Sequence, residues 1–311
     1  MSEQAWPVIG HEWAVLNLDR AVSERRIAQS YLISGPAHIG KTTLARALAM
    51  ALNCESRTNR PDLTCRSCKL IQADHHPDVQ VIEPDGLRLK IDQVRALQHD
   101  LALSPIEGKF RVAIFDQFEL ATTEAQNALL KTLEEPPSYA VLVVLAADPE
   151  LLLPTIVSRC QLLTLRPLTI GQVHKALTEH WGVETDRAQL LAHLSGGRLG
   201  WAVEAAKNPA RLEARSKLLD DLIKLLKSDR VTRFAYAEEL THKTDHAHEA
   251  IETWQTWWRD VMLAANHTQA ELINIDRASD IQSIAQRIDL NRAQAAVEAC
   301  AKATWQLDHN A

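Results

Sequence analysis

The chain has 311 residues, 46% of them hydrophobic, which is enough for two or three domains with a large core. Its 34 basic and 40 acidic side chains leave a formal charge of −6, so composition gives no global basic signal for nucleic acid, only room for a local basic face. The longest apolar stretch, 140–147, falls far short of the roughly 18 residues of a membrane helix. The N-terminal M-S-E-Q-A-W-P has no basic or apolar signal region, so a cytoplasmic protein away from the membrane is expected.

From about 30 to 166, short β-rich runs alternate with helical patterns. Ser30–Ser34 reads as a strand, the glycine loop 35–42 follows, and Lys41–Leu52 has helical composition. Val79–Ile82 and Val112–Phe115 are further strands. Thr123-x-x-Gln126 reads as a capping box opening a helix that stops at Pro136-Pro137. Val141–Ala146 and Leu162–Leu165 complete the strands. The run 140–147 has no polar alternation, as expected of a strand covered on both faces. Alternation of this kind predicts an α/β fold, a parallel sheet with helices on both sides.

The pattern changes after Pro167. Thr169–Trp181 is expected to be a helix ended by Gly182; Thr185 is expected to cap a second that ends at 195–197, and a third runs to about Lys207. Three short helices in about forty residues suggest a small helical lid at 167–208. Beyond Pro209 only helical periodicity remains. Ile251, Trp254, Trp258, Val261 and Met262 fall on one helical face. Core or subunit packing suits Trp257 and Trp258 better than ligand stacking.

Residues 35–42, G-P-A-H-I-G-K-T, form a complete phosphate-binding loop between a strand and a helix. Gly35 and Gly40 let backbone N–H groups turn toward phosphate oxygens at the positive end of the following helix. Lys41 would reach the outer phosphates and Thr42 would ligate magnesium, with Thr43 beside them. The apolar strand Arg111–Phe115 ends in Asp116, placed to hold the magnesium shell. The next residue, Gln117, orients water but cannot accept its proton. Glu119 is a candidate to substitute from two residues further on, although it lies beyond the strand and in a direction the sequence does not specify.

Five cysteines stand at 54, 65, 68, 160 and 300, three of them within fifteen residues. An odd count with that clustering points to a metal site rather than a disulfide framework, and Cys65-x-x-Cys68 has zinc-knuckle spacing.

The run N-A-L-L-K-T-L-E-E-P-P from Asn127, with L-L-P-T-I-V-S-R-C at 152–160, resembles the clamp-loader branch of the AAA+ ATPases. V-I-G-H-E at 8–12, the loop at 35–42, the cysteine cluster, H-P-D at 76–78 and W-W-R-D-V-M-L at 257–263 follow in matching order, so the resemblance covers essentially the whole chain. It implies a RecA-like AAA+ domain at 1–166 with a zinc-binding insertion near 54–68, a lid at 167–208 and an all-α collar domain at 209–311 that joins subunits. It implies ATP or ADP with magnesium at the loop. It makes Arg159 of S-R-C a finger acting on a neighbouring subunit's ATP.

The same resemblance places Asp62 where the family has its second of four cysteines, making Cys54, Asp62, Cys65 and Cys68 the expected ligands of a structural zinc. His75 or His76 is an alternative fourth ligand. Expected partners are other subunits of the gamma/tau and delta types, a sliding clamp and, through the assembly, primed DNA in a replicative DNA polymerase holoenzyme. Active members carry a glutamate at the position of Gln117, a polar sensor near Ala147 and a sensor arginine at the position of Gly200. These three departures imply a weak or inactive ATPase. Glu134 and Glu135 stand at the negative end of their helix, where acids are disfavoured; an interface role explains that placement, and a solvated helix end with Lys131 offsetting Glu135 explains it almost as well. The competing readings are an active gamma/tau-type motor and a free-standing P-loop enzyme.

Overall fold

The computed structural model describes residues 6–56, 58–241, 244–266, 268 and 270–310. The chain divides into two compact units at Leu168/Thr169. In the first unit, five strands, β1 (Ser30–Ser34), β2 (Val79–Ile82), β3 (Arg111–Phe115), β4 (Ala140–Ala146) and β5 (Gln161–Thr164), form one parallel sheet in the order β2-β3-β4-β1-β5. Among the described residues, six helices accompany it: α1 (Glu12–Ser23), α2 (Lys41–Asn53), α3 (Arg66–Gln72), α4 (Ile91–Leu101), α5 (Thr123–Glu134) and the single turn α6 (Pro154–Val157).

The uninterrupted apolar strands have a simple cause. Alternate residues of each strand face opposite layers. Tyr31, Ile33, Val112, Ile114, Val143 and Leu145 pack with Leu18, Leu48 and Ile71 from α1, α2 and α3. Leu32, Ala113, Phe115, Leu142 and Val144 pack with Val94, Leu97, Leu129 and Ile156 from α4, α5 and α6. Each fully buried Val, Leu or Ile contributes about 1.5–3 kcal/mol by leaving water, so a polar substitution at any of these apolar positions would be costly.

The H-P-D segment ties this unit together. Asp78 is buried and accepts the N–H groups of Ile106, Glu107 and Gly108 at 2.7, 2.8 and 2.7 Å, with Arg111 at 3.6 Å. His76 uses both ring nitrogens, one with the Ser67 hydroxyl and one with the N–H of Asp78.

Two expected caps are displaced by one residue. Thr122, not Thr123, caps α5 by accepting the Ala125 N–H, and Gln126 bonds the Ala121 carbonyl and the Leu153 N–H instead of closing a box. Preceding residue 185, the Glu184 carboxylate accepts the N–H groups of Asp186 and Arg187 and caps the helix that Thr185 begins. In both places the residue in extended backbone just before the first turn is the one able to fold its oxygen back onto free N–H groups.

The second unit contains α7 (Ile170–Trp181), α8 (Thr185–Leu194), α9 (Leu199–Lys207), α10 (Pro209–Lys227), α11 (Arg230–Thr241), α12 (Thr244–Ala265), α13 (Ala278–Ala285) and α14 (Leu290–Asn310). Thr169 caps α7 with a capping box completed by Gln172, and Gly182 ends it in the left-handed region. The expected 208/209 division falls inside this unit, where Pro209 opens α10. The buried stripe of α12 is Ala247, Ala250, Trp257 and Val261, one position round from the expected face. Trp254, Trp258 and Met262 form its half-buried flank around Leu219, Ile281 and Ala293. Trp257 is therefore a core residue.

The aspartate of W-W-R-D-V-M-L is structural too. Buried Asp260 accepts the backbone and side-chain N–H of Asn274 at 2.7 and 2.9 Å, and Arg215 bonds Asn274 and Asp276.

Candidate functional site

The phosphate loop lies at the carboxyl end of β1, between β4 and β5, the edge where open α/β sheets gather ligands. Gly35 has φ 144°, and a Cβ there would stand 2.7 Å from the Leu165 carbonyl oxygen. Only glycine fits both the torsion and the close approach. Gly40, at φ 109°, precedes α2 and has nothing within 4 Å of its would-be Cβ, leaving open space over the first turn. The buried Lys41 amine donates to the carbonyls of Gly35 and Pro36 at 2.7 and 3.1 Å. Burial pulls Lys41 below its ordinary value, and the charges of Glu119 and Asp116 counter only part of that.

Thr42 and Asp116, separated by 74 residues in sequence, meet directly: the hydroxyl donates to the carboxylate at 3.1 Å. Thr43 is exposed on the same turn. The expected set of Gly35, Gly40, Lys41, Thr42 and Asp116 is thus assembled in one place. The residues fit a nucleotide with magnesium: N–H groups and an ammonium for phosphate, a hydroxyl and a carboxylate for the metal's shell. Bound there, magnesium would neutralise phosphate charge.

His11 carried no assigned role in the sequence, and Glu119 stood there only as a substitute base of unread direction. His11 of V-I-G-H-E is buried, and its Nε2 bonds the Ile39 carbonyl at 3.1 Å, bracing the loop from α1's side. Glu119, in the turn Phe118–Leu120, points inward. One carboxylate oxygen is buried with no hydrogen-bond partner, and the carboxylate takes the Ala147 N–H and senses the Lys41 charge. Burial raises its pKa, opposed by its own backbone N–H, that of Ala147 and the Lys41 charge. Gln117 is exposed in a left-handed conformation, with its N–H on Asp116. No local sequence signal distinguishes which of 117 and 119 faces the loop.

Arg159 stands apart from this cluster. Its Nη2 bonds Glu134 Oε1 at 2.6 Å and its Nη1 bonds the Thr155 carbonyl at 2.9 Å, with the side chain still about one-third exposed. Arg198, two residues before Gly200, pairs with Glu252 of α12.

The ligand atoms of Cys54, Asp62, Cys65 and Cys68 lie within 4.8 Å of one another. Asp62 Oδ1 accepts the N–H groups of Thr64 and Cys65, both at 3.0 Å, which leaves Oδ2 for a metal. The Cys65 N–H above all, joined by that of Thr64, holds the Asp62 carboxyl down at about 2. Backbone N–H groups of Asp62 and Cys68 reach the sulfurs of Cys54 and Cys65 at 3.5 and 3.4 Å, an outer shell that suits thiolates. Three sulfurs and one carboxylate oxygen suit a closed tetrahedral zinc site. His76, with both nitrogens engaged, is not part of the group, and His75 does not belong to it either.

The sheet order, the loop after β1 and the acid after β3 define a P-loop nucleotide-binding fold of the AAA+ type, followed by helices only. Within that class the comparisons are specific. The chain belongs to the clamp-loader family of DNA polymerase III: the model described as "DNA polymerase III, delta subunit" matches residues 10–169, and that of its C terminal matches 209–311. The delta' subunit of DNA polymerase III from Bacillus subtilis (strain 168) is 34% identical over 202 residues, 65% of this chain and 61% of the relative. The tau subunit from Escherichia coli (strain K12) is 35% identical over 198 residues, 62% of this chain and 31% of the relative. The chain thus matches about three-fifths of the first relative's length and under one-third of the second's. Among solved structures, the Thermotoga maritima RuvB Holliday junction branch migration motor aligns at TM-score 0.45 and 17% identity, covering 84% of this chain and 79% of that one. Among the described residues, no helix is long and apolar enough to cross a membrane.

Proposed function

We propose that the chain is a delta'-type clamp-loader subunit: a stationary member of a ring-like assembly with gamma/tau- and delta-type subunits that loads a sliding clamp on primed DNA in the cytoplasm. Its own loop binds ATP or ADP through Gly35, Gly40, Lys41, Thr42, Thr43 and Asp116, with little turnover. Arg159 reaches the triphosphate of a neighbouring subunit. Residues 1–166 bind nucleotide, 167–208 form the lid and 209–311 the collar, with Cys54, Asp62, Cys65 and Cys68 on structural zinc.

The observation that carries this reading is the contrast between the two sites. Asp116 is followed by an amide that turns outward, whereas Arg159 is exposed and its guanidinium is anchored at two points. A planar, permanently charged fork of this kind suits trans contact with phosphate oxygens. Reconstitution with partner subunits tests it: Arg159→Ala should leave assembly intact and lower clamp- and DNA-stimulated ATP turnover by roughly 10³-fold or more. Unchanged turnover overturns the assignment.

One observation favours the motor ATPase instead, namely the inward Glu119 carboxylate beside Lys41. That reading requires the purified chain to hydrolyse ATP, and both Lys41→Ala and Glu119→Gln to abolish it.

A further inference from the structure

Glu134 occupies the last position of α5, where the helix's partial negative charge makes a carboxylate unfavourable by about 0.3–1 kcal/mol. Its ion pair with Arg159 is half in solvent, and pairs of that kind contribute about 0–1 kcal/mol. The two nearly cancel, so stability does not account for an acid at this place.

The contact does have a geometric effect. Arg159 hangs on a long side chain, and Glu134 with the Thr155 carbonyl fixes both ends of its fork, at 2.6 and 2.9 Å. Glu134 is itself well founded. Leu133 beside it is buried, and the Pro136 and Pro137 carbonyls that follow accept the Gln29 amide at 3.4 and 3.0 Å. Gln126, two turns back on α5, accepts the Leu153 N–H at 2.9 Å and so sets α6, which carries Thr155 and leads into Arg159. One helix therefore places both the backbone before the arginine and the acid that aims it. Of the guanidinium's five N–H donors, two are used, leaving three for an anion.

We propose that Glu134 is a positioning residue for Arg159, holding the guanidinium preorganised for the polyphosphate of a neighbouring subunit. This rests on the finger reading and extends it to the residue that aims the finger. Preorganisation matters because a misplacement of about 1 Å costs up to about 10²-fold in rate.

The test uses the reconstituted complex with wild type, Glu134→Gln, Glu134→Ala, Arg159→Ala and the double variant Glu134→Ala/Arg159→Ala. Glu134→Ala should lower the neighbour's kcat roughly tenfold or more, with KM for ATP little changed because the neighbour's own loop binds the nucleotide. Glu134→Gln, which keeps an acceptor oxygen but loses the charge, should fall between. Melting of the isolated chain should not move, and Glu134→Ala should add nothing in the Arg159→Ala background. Turnover raised by Glu134→Ala would mean the acid restrains the arginine, overturning the proposal. So would unchanged turnover, or a loss that adds fully to that of Arg159→Ala. If Arg159→Ala itself has no effect, the finger reading fails first and takes this inference with it.

Discussion

Asp78→Asn should be among the most damaging single-atom-scale changes in the nucleotide-binding unit. The wild-type carboxylate accepts Ile106 N–H on one oxygen and Glu107 and Gly108 N–H on the other, at 2.7, 2.8 and 2.7 Å, with Arg111 at 3.6 Å. In its better orientation the asparagine keeps its oxygen on Glu107 and Gly108 and turns its NH2 toward Ile106. One bond to a charged group is lost, at about 1.5–3 kcal/mol, and the other two fall to neutral strength, at about 1 kcal/mol each. Those terms come to about 3.5–5 kcal/mol, and Arg111 adds to the loss because it is left without its counter-charge in a buried setting. Urea titration followed by circular dichroism at pH 7 would measure it, and a loss under about 1 kcal/mol would refute the reasoning. A pH series adds a sign. Burial pushes the carboxyl up, but the N–H groups of Gly108, Ile106 and Glu107, with Arg111, outweigh it and hold the group below its ordinary 3.8. Its contribution is therefore fully present above 3.8 and lost as pH falls toward the lower folded value, so wild type and variant should converge in acid.

Gly35→Ala forces a Cβ to 2.7 Å from the Leu165 carbonyl at a torsion of 144°. Strain of about 1–3 kcal/mol should lower the melting temperature and weaken binding of a fluorescent ATP analogue roughly tenfold, read by titration. Cys65→Ser with Cys68→Ser should release the bound metal, measured by elemental analysis of purified protein; native protein without metal would remove the zinc assignment. Chelation of the native protein should likewise lower its melting temperature, because a structural metal stabilises only the folded state.

Much of the fold was legible because it rests on short-range periodicity. The five strands lie within a residue of their expected ends: β1, β3 and β4 are apolar runs bounded by turns that bury as central parallel strands, and β2 and β5 pair at the sheet's edges. Cap positions were less legible: Thr122 and Thr123 are the same residue type, and backbone conformation alone decides which oxygen can fold back. The stripe of α12 shifted from Trp258 to Trp257 because the helix packs against α10, α13 and α14 together, widening the face that periodicity assigns to one line. At the candidate site, the phosphate loop reads locally, whereas the inward turn of Glu119 and the brace from His11 depend on other elements.

The sequence by itself determined the strand–loop–helix that cradles phosphate, the acid after β3, the cysteine spacing and the change to all-helical structure after residue 167. Each of these is specified within one turn or one strand, where neighbouring residues set the backbone. Only the tertiary structure decided the partners: Thr42 with Asp116, Asp62 rather than His76 beside the three cysteines, Arg198 with Glu252, and Arg159 with Glu134. Thr42 and Asp116 stand 74 positions apart, Arg198 and Glu252 54, and Arg159 and Glu134 25, and which side chains meet across such distances follows from how the layers pack, not from the spacing along the chain.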